Sequence, residues 1–164
     1  MSDTQQPNPG ATFELVITRH IAAPPEKVFK AWTTPDLIVK WFTPSPWRTV
    51  HAETDVRPGG SSLIVMKGPD GTEMPNRGVY LEVVENRRLV FTDAYTEAWK
   101  PSAKPFMTGI LTFEEENGGT RYTARVLHWT VEDRDAHEKM GFATGWGIAT
   151  DQLAETIGAP KPTA

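Results

Sequence analysis

Residues 132–158, EDRDAHEKMGFATGWGIATDQLAETIG, constrain the fold more than any other stretch, because nothing else in the chain reads as a long helix. Phe142, Trp146, Ala149, Leu153 and Ile157 recur at steps of three and four, the period of one apolar helical face. Thr130, three residues before Asp133, supplies a capping start, and Gly158 with Pro160 supplies a stop. Gly141, Gly145 and Gly147 lie inside this stretch, and each costs a helix about 1 kcal/mol relative to alanine. Two readings account for such a cluster: close packing of the helix on a sheet, or a helix that walls a cavity.

The chain before this helix alternates between extended and helical patterns. Residues 1–11 are polar and contain Pro7, Pro9 and Gly10, so a loose N-terminal tail is expected. Residues 13–21 read as a strand. Ala22-Ala23-Pro24-Pro25 ends it and opens a helix over 26–32 with Val28, Phe29 and Trp32 on its apolar face. Thr34-Pro35-Asp36 starts a second short helix through Leu37, Ile38, Trp41 and Phe42, which Pro44 and Pro46 end. From residue 47 onward, strands are predicted at 47–55, 62–66, 77–84, 88–95, 106–115 and 120–129. Turn residues separate them, among them Gly68-Pro69-Asp70-Gly71 and Glu116-Asn117-Gly118-Gly119. Residues 99–105 read as a loop at a rim. Tyr122, Ala124, Val126 and His128 alternate with Arg121, Thr123 and Arg125, so the first set is expected to face the core.

Strands joined by short links make an antiparallel meander, and only the terminal helix is long enough to cover its apolar face. The predicted fold is α+β: a curved antiparallel sheet around one long C-terminal helix, with two short helices after the first strand. A single domain over 12–158 and a C-terminal tail over 159–164 are expected. A sheet that grips one helix leaves room for a pocket between them. A formal charge of −4 gives no basic balance to hold a phosphate backbone, so no nucleic-acid partner is expected. No apolar run approaches a membrane span, and MSDTQQPNPG lacks the basic and apolar regions of a signal peptide. No membrane insertion and a cytoplasmic location are therefore expected. The absence of cysteine removes disulfides, thiol catalysis and Cys-ligated zinc together.

Few residues carry a chemical signature. His20, His51, His128 and His137 form no HxxxH or HExxH pattern, so neither a metal site nor a cofactor is expected. Arg57-Pro58-Gly59-Gly60 lacks a P-loop lysine, and Ser61-Ser62 lies in no GxSxG. No catalytic residue is assigned. Glu82 shares a strand face with Tyr80 and Val84, and Asp93 with Phe91 and Tyr95. A carboxylate in an apolar pocket would serve as acid or base, whereas one at the sheet edge would pair with Arg77 or Arg88. His128 is read first as a core histidine satisfied by a backbone carbonyl or by Tyr or Trp, and second as a polar anchor or proton-transfer group. The aromatics make the stronger pattern. Trp41, Phe42 and Trp47 crowd the end of the second helix, and Tyr80, Phe91 and Tyr95 follow on strands. Phe142 and Trp146 belong to the long helix. With Met66 they form the predicted cavity lining, in which Tyr80, Tyr95 and His128 would orient a ligand.

Four stretches also carry a family resemblance: IAAPPEKVFKAWTTPDLIVKWFTP at 21–44, DVRPGGSSLIVMKGPDGTEMPNRGVYLEVVENRRLVFTD at 55–93, TFEEENGGTRYTARV at 112–126 and GWGIATDQLAETI at 145–157. On these the chain resembles the START-like, SRPBCC superfamily with its helix-grip fold. Within that group it is similar to the bacterial proteins homologous to the C-terminal domain of the heat-shock chaperone ATPase activator. The resemblance implies a cavity between sheet and long helix that accepts a small apolar or amphipathic molecule. The activator's additional N-terminal domain has no counterpart in residues 1–11, so chaperone activation is not expected to carry over. Two alternatives accompany ligand binding. One is a polyketide cyclase-like enzyme in the same cavity, with His128 as its first proton-transfer candidate. The other is a homodimeric or chaperone-interacting module, which predicts Trp41, Trp47 and Trp99 on the surface.

Overall fold

The structure is a computed structural model that describes residues 13–164, so the tail expected over 1–11 lies outside the described residues. Strand β1 (Glu14–Ile21) is followed by helices α1 (Pro25–Thr33) and α2 (Pro35–Trp41). Each helix begins on a proline, whose missing N–H is one the first turn could not satisfy internally. Val28, Phe29 and Trp32 are buried as their spacing predicts, together with Ala31. The Trp41 indole N–H donates to the Ala31 carbonyl at 3.0 Å and ties the second helix to the first.

The strands β2 (Arg48–Thr54), β3 (Ser61–Lys67), β4 (Glu73–Val84), β5 (Arg88–Thr92), β8 (Met107–Glu116) and β9 (Gly119–His128) join β1 in one antiparallel sheet. Its order is β1-β9-β8-β5-β4-β3-β2. Asn117 and Gly118 both take positive φ and make the tight turn between β8 and β9, where the Asn-Gly pair had marked a hairpin. Two short strands, β6 (Tyr95–Glu97) and β7 (Lys100–Pro101), form a separate ribbon.

Two differences from the predicted strands shape the cavity. β4 starts four residues earlier than its apolar pattern suggests, because residues 73–78 pair along β3. Pro75 is tolerated there since, among the described residues, no strand pairs with the other edge of that half. β5 stops at Thr92, opposite Val79, three residues earlier than expected. The Thr92 hydroxyl and the Asp93 carboxylate are engaged at that point: Asp93 Oδ1 accepts from the backbone N–H groups of Phe106 at 2.8 Å and Met107 at 3.0 Å. The sheet is thus open between the first half of β4 and the start of β8 at Met107.

The expected single terminal helix is two helices, α3 (Val131–Lys139) and α4 (Phe142–Thr156). Thr130 caps the first as predicted, accepting from Asp133 N–H at 3.1 Å. Gly141 adopts φ +94°, a left-handed conformation that glycine tolerates at little cost and that no helix interior can contain. α3 buries no residue, whereas α4 buries Phe142, Ala149, Thr150, Leu153 and Ala154, packing on α2, β1 and α1. Side chains such as Ile21, Leu89, Leu111, Val126 and Leu153 are fully buried, each contributing about 1.5–3 kcal/mol. The segment after α4 runs back to β1, where His20 and Thr163 exchange backbone hydrogen bonds of 2.8 and 3.1 Å.

Candidate ligand-binding cavity

A cavity of ≈ 490 Å³ lies between α4, the α3–α4 corner and the open part of the sheet. Its inner wall is aromatic. Trp32 is the centre of the cluster, with ring centroids of Trp41 at 4.7 Å, Phe91 at 5.8 Å, Phe42 at 6.0 Å, Trp146 at 6.2 Å and Tyr122 at 6.5 Å. These rings come from α1, α2, two strands and α4, so no one segment carries the wall. Gly109 of β8 lies against Phe91; a Cβ there would stand 2.5 Å from the ring, so this glycine seats an aromatic of the cavity wall. The exposed rim includes Met74, Asn76 and Arg77 of β4 and Met140, which is 77% exposed. Unbranched methionines at such an opening adapt to varied apolar shapes.

Polar groups are sparse on this wall. Burial pushes the Tyr122 hydroxyl well above the ordinary phenol range, against the opposing effect of the Trp32 indole and the Thr150 hydroxyl beside it. The Trp32 Nε1–H is itself buried without a hydrogen-bond partner among the described residues. Burial, with the Asp55 charge adding to it, pushes Tyr80 up to about 12. Both tyrosines therefore stay protonated and act as neutral groups. His137 borders the cavity too, and burial followed by the proximity of His128 lowers its pKa to about 4.

Of the predicted lining, Trp41, Phe42, Met66, Tyr80, Phe91, Phe142 and Trp146 lie on this cavity. Three residues do not. Trp47 leans over Gly68, whose added Cβ would meet its ring at 2.9 Å, and it borders a different cleft beside α2. Tyr95 sits on the β6–β7 ribbon, 37% exposed, because the sheet strand ends before reaching it. His128 is buried as alternation predicts, but it stands behind His137, whose Nδ1 is 2.8 Å from its Nε2. Its own Nδ1 faces the Phe13 carbonyl at 2.8 Å. Glu82 points outward and pairs with Arg88 at 3.0 Å, a register irregularity between Tyr80 and Glu82 having taken it off the Tyr80 face. Sequence reasoning missed Trp32, Tyr122 and Phe106 as cavity residues, although each was legible as apolar, and it weighed His137 only as a metal ligand.

The cleft beside α2 has a similar volume, ≈ 470 Å³, but offers less to an apolar molecule. Gln152 is already spent there, donating to the Trp41 and Thr43 carbonyls at 2.8 Å each and accepting from Ser45 N–H at 3.1 Å. Among the described residues no group of three His, Cys, Asp or Glu side chains is arranged to hold a metal ion, and no helix is long and apolar enough to cross a membrane.

Comparison with known proteins agrees with this architecture. Residues 22–158 match the family described as Activator of Hsp90 ATPase homolog 1-like protein. A crystal structure of a protein from Nitrosomonas europaea is 39% identical, with a TM-score of 0.85 over 88% of this chain and 93% of that one. One from Mycobacterium smegmatis is 29% identical, with a TM-score of 0.75 over 88% and 90%. One from Rhodobacter sphaeroides is 25% identical, with a TM-score of 0.79 over 92% and 95%. The search of curated proteins finds no match.

Proposed function

The chain belongs to the family of Activator of Hsp90 ATPase homolog 1-like proteins, and from that premise we propose that it binds a small apolar or amphipathic molecule between α4 and the sheet. The observation that carries this reading is the ≈ 490 Å³ cavity whose inner wall is built of aromatic rings from five elements of the chain. Binding works by shielding. Each Å² of ligand apolar surface removed from water contributes about 25 cal/mol, so about 200 Å² supplies roughly 5 kcal/mol before the cost of immobilising the ligand. The methionines of the rim suit an occupant of variable shape.

A proton-transfer enzyme using the same cavity is less well supported. Tyr80 and Tyr122 are held protonated, and His137 is too weak a base to take a proton efficiently near neutrality. Native mass spectrometry of the freshly purified chain, followed by organic extraction, tests the binding reading. A stoichiometric apolar passenger that is lost when the cavity is filled by mutation supports it. A clean mass, with no uptake of added apolar probes at millimolar concentration, overturns it.

A further inference from the structure

We propose that His137 Nε2 is the hydrogen-bond acceptor by which the cavity selects ligands carrying a hydroxyl group, and that His128 positions it. This rests on the cavity being a ligand site. The argument starts at the Phe13 carbonyl, which can only accept. It takes the His128 backbone N–H at 2.7 Å and faces His128 Nδ1 at 2.8 Å, so that ring nitrogen must carry hydrogen. The neutral His128 ring then presents a lone pair at Nε2. His137 Nδ1 lies 2.8 Å from that lone pair and must donate to it. The hydrogen of neutral His137 is thereby fixed on Nδ1, and its Nε2 is left bare.

Three further observations give that bare nitrogen a role. It has no partner among the described residues, and it is not sealed from solvent or cavity. His137 is one of the cavity's lining residues. Its ring is held by Phe106 at a centroid distance of 5.0 Å and Phe142 at 5.1 Å, and Phe106 is fixed in turn by Asp93. The imidazole therefore has a set tautomer and a set place before any ligand arrives. Its depressed basicity keeps it an acceptor at neutral pH. An alcohol, phenol or enol O–H meeting Nε2 makes a hydrogen bond. An ether or ketone oxygen at the same point sets lone pair against lone pair, and a site of this kind rejects the analogue that lacks the donor. His128 touches no ligand in this arrangement; it acts by fixing which nitrogen of His137 is bare.

The test uses the full chain with two matched probes, 2-naphthol and 2-methoxynaphthalene, titrated calorimetrically at pH 7. Long-range ¹⁵N–¹H spectra report the His137 tautomer in parallel. The expected result is about tenfold tighter binding of 2-naphthol, the worth of one neutral hydrogen bond, although the methoxy probe is the more apolar. His137→Phe abolishes the preference. His128→Leu diminishes it, and His128→Gln, which keeps a donor and an acceptor on one side chain, restores it. The spectra are expected to show hydrogen on Nδ1 of His137. Equal affinity for the two probes in the natural chain, or a preference that survives His137→Phe, overturns the proposal and leaves ligand binding standing. Hydrogen on His137 Nε2 at pH 7 overturns it independently of any probe. Failure of both probes to bind removes the cavity reading, and this inference with it.

Discussion

His137 links the cavity to stability through its proton. Its pKa in the folded chain, about 4, lies below the 6.5 of an unperturbed histidine, because burial and the adjacent His128 disfavour the cation. Between those values the unfolded chain binds the proton more tightly than the folded one. This contribution to stability is thus fully present above about pH 6.5 and is lost as pH falls toward 4. Urea midpoints measured at pH 7 and pH 4.5 should fall more for the natural chain than for His137→Asn, which has no proton to gain. Equal falls would mean that His137 titrates normally. A second residue-scale prediction concerns the centre of the core. Leu153 is fully buried, so Leu153→Ala should cost about 2–5 kcal/mol in denaturant unfolding. The inward direction of His128 could be read from strand alternation, since its face is shared with Tyr122, Ala124 and Val126. Its partner could not be read, because α3 buries no residue and so leaves no periodic apolar signal to orient His137.

Among the elements, the terminal helical stretch departs most from its sequence pattern. The apolar period across 142–157 is real and is buried in α4, but the same period says nothing about residues 131–140, which form a separate surface helix. The three glycines resolve into different roles. Gly141 makes the break through its positive φ. Gly145 borders the cavity, where an added Cβ would meet only Pro44 at 3.8 Å, and one at Gly147 would meet only Arg19 at 3.6 Å. Neither of the latter is demanded by close packing. Gly145→Ala and Gly147→Ala are therefore expected to raise stability, each by up to about 1 kcal/mol, through helix propensity. Gly141→Ala should lower it by about 1–2 kcal/mol, because alanine is strained in the left-handed region. Thermal unfolding of the three variants distinguishes these cases, and a loss of stability in all three would indicate that α4 needs its glycines for contacts. The strand ends were harder to foresee for a related reason. β4 and β5 are bounded by what pairs with them, and Pro75 or Asp93 acquires meaning only when the neighbouring strand is known.

For the molecule as a whole, the order of elements was enough to expect a sheet around a helix, because short links force an antiparallel meander and leave one helix to cover it. A cavity was expected on the same grounds, and the aromatic identity of its wall followed from where Trp41, Phe42, Phe91 and Trp146 fall in the pattern. Which aromatics reach the wall depends on the local ends of strands, and so Trp47 and Tyr95 face elsewhere. The cavity is open because β5 stops at Thr92 while β4 continues along β3, and α3 turns away at Gly141 above the gap. Filling the cavity from the helix should separate folding from binding. Gly145→Leu places an aliphatic side chain at a helical position with free space around it, so the fold should be retained and its thermal midpoint should equal or exceed that of the natural chain. Uptake of apolar probes, read by quenching of the Trp32–Trp146 cluster fluorescence, should fall at least tenfold. A variant that folds and still takes up the probe with unchanged affinity would place binding outside this cavity, with the cleft beside α2 as the next site to block.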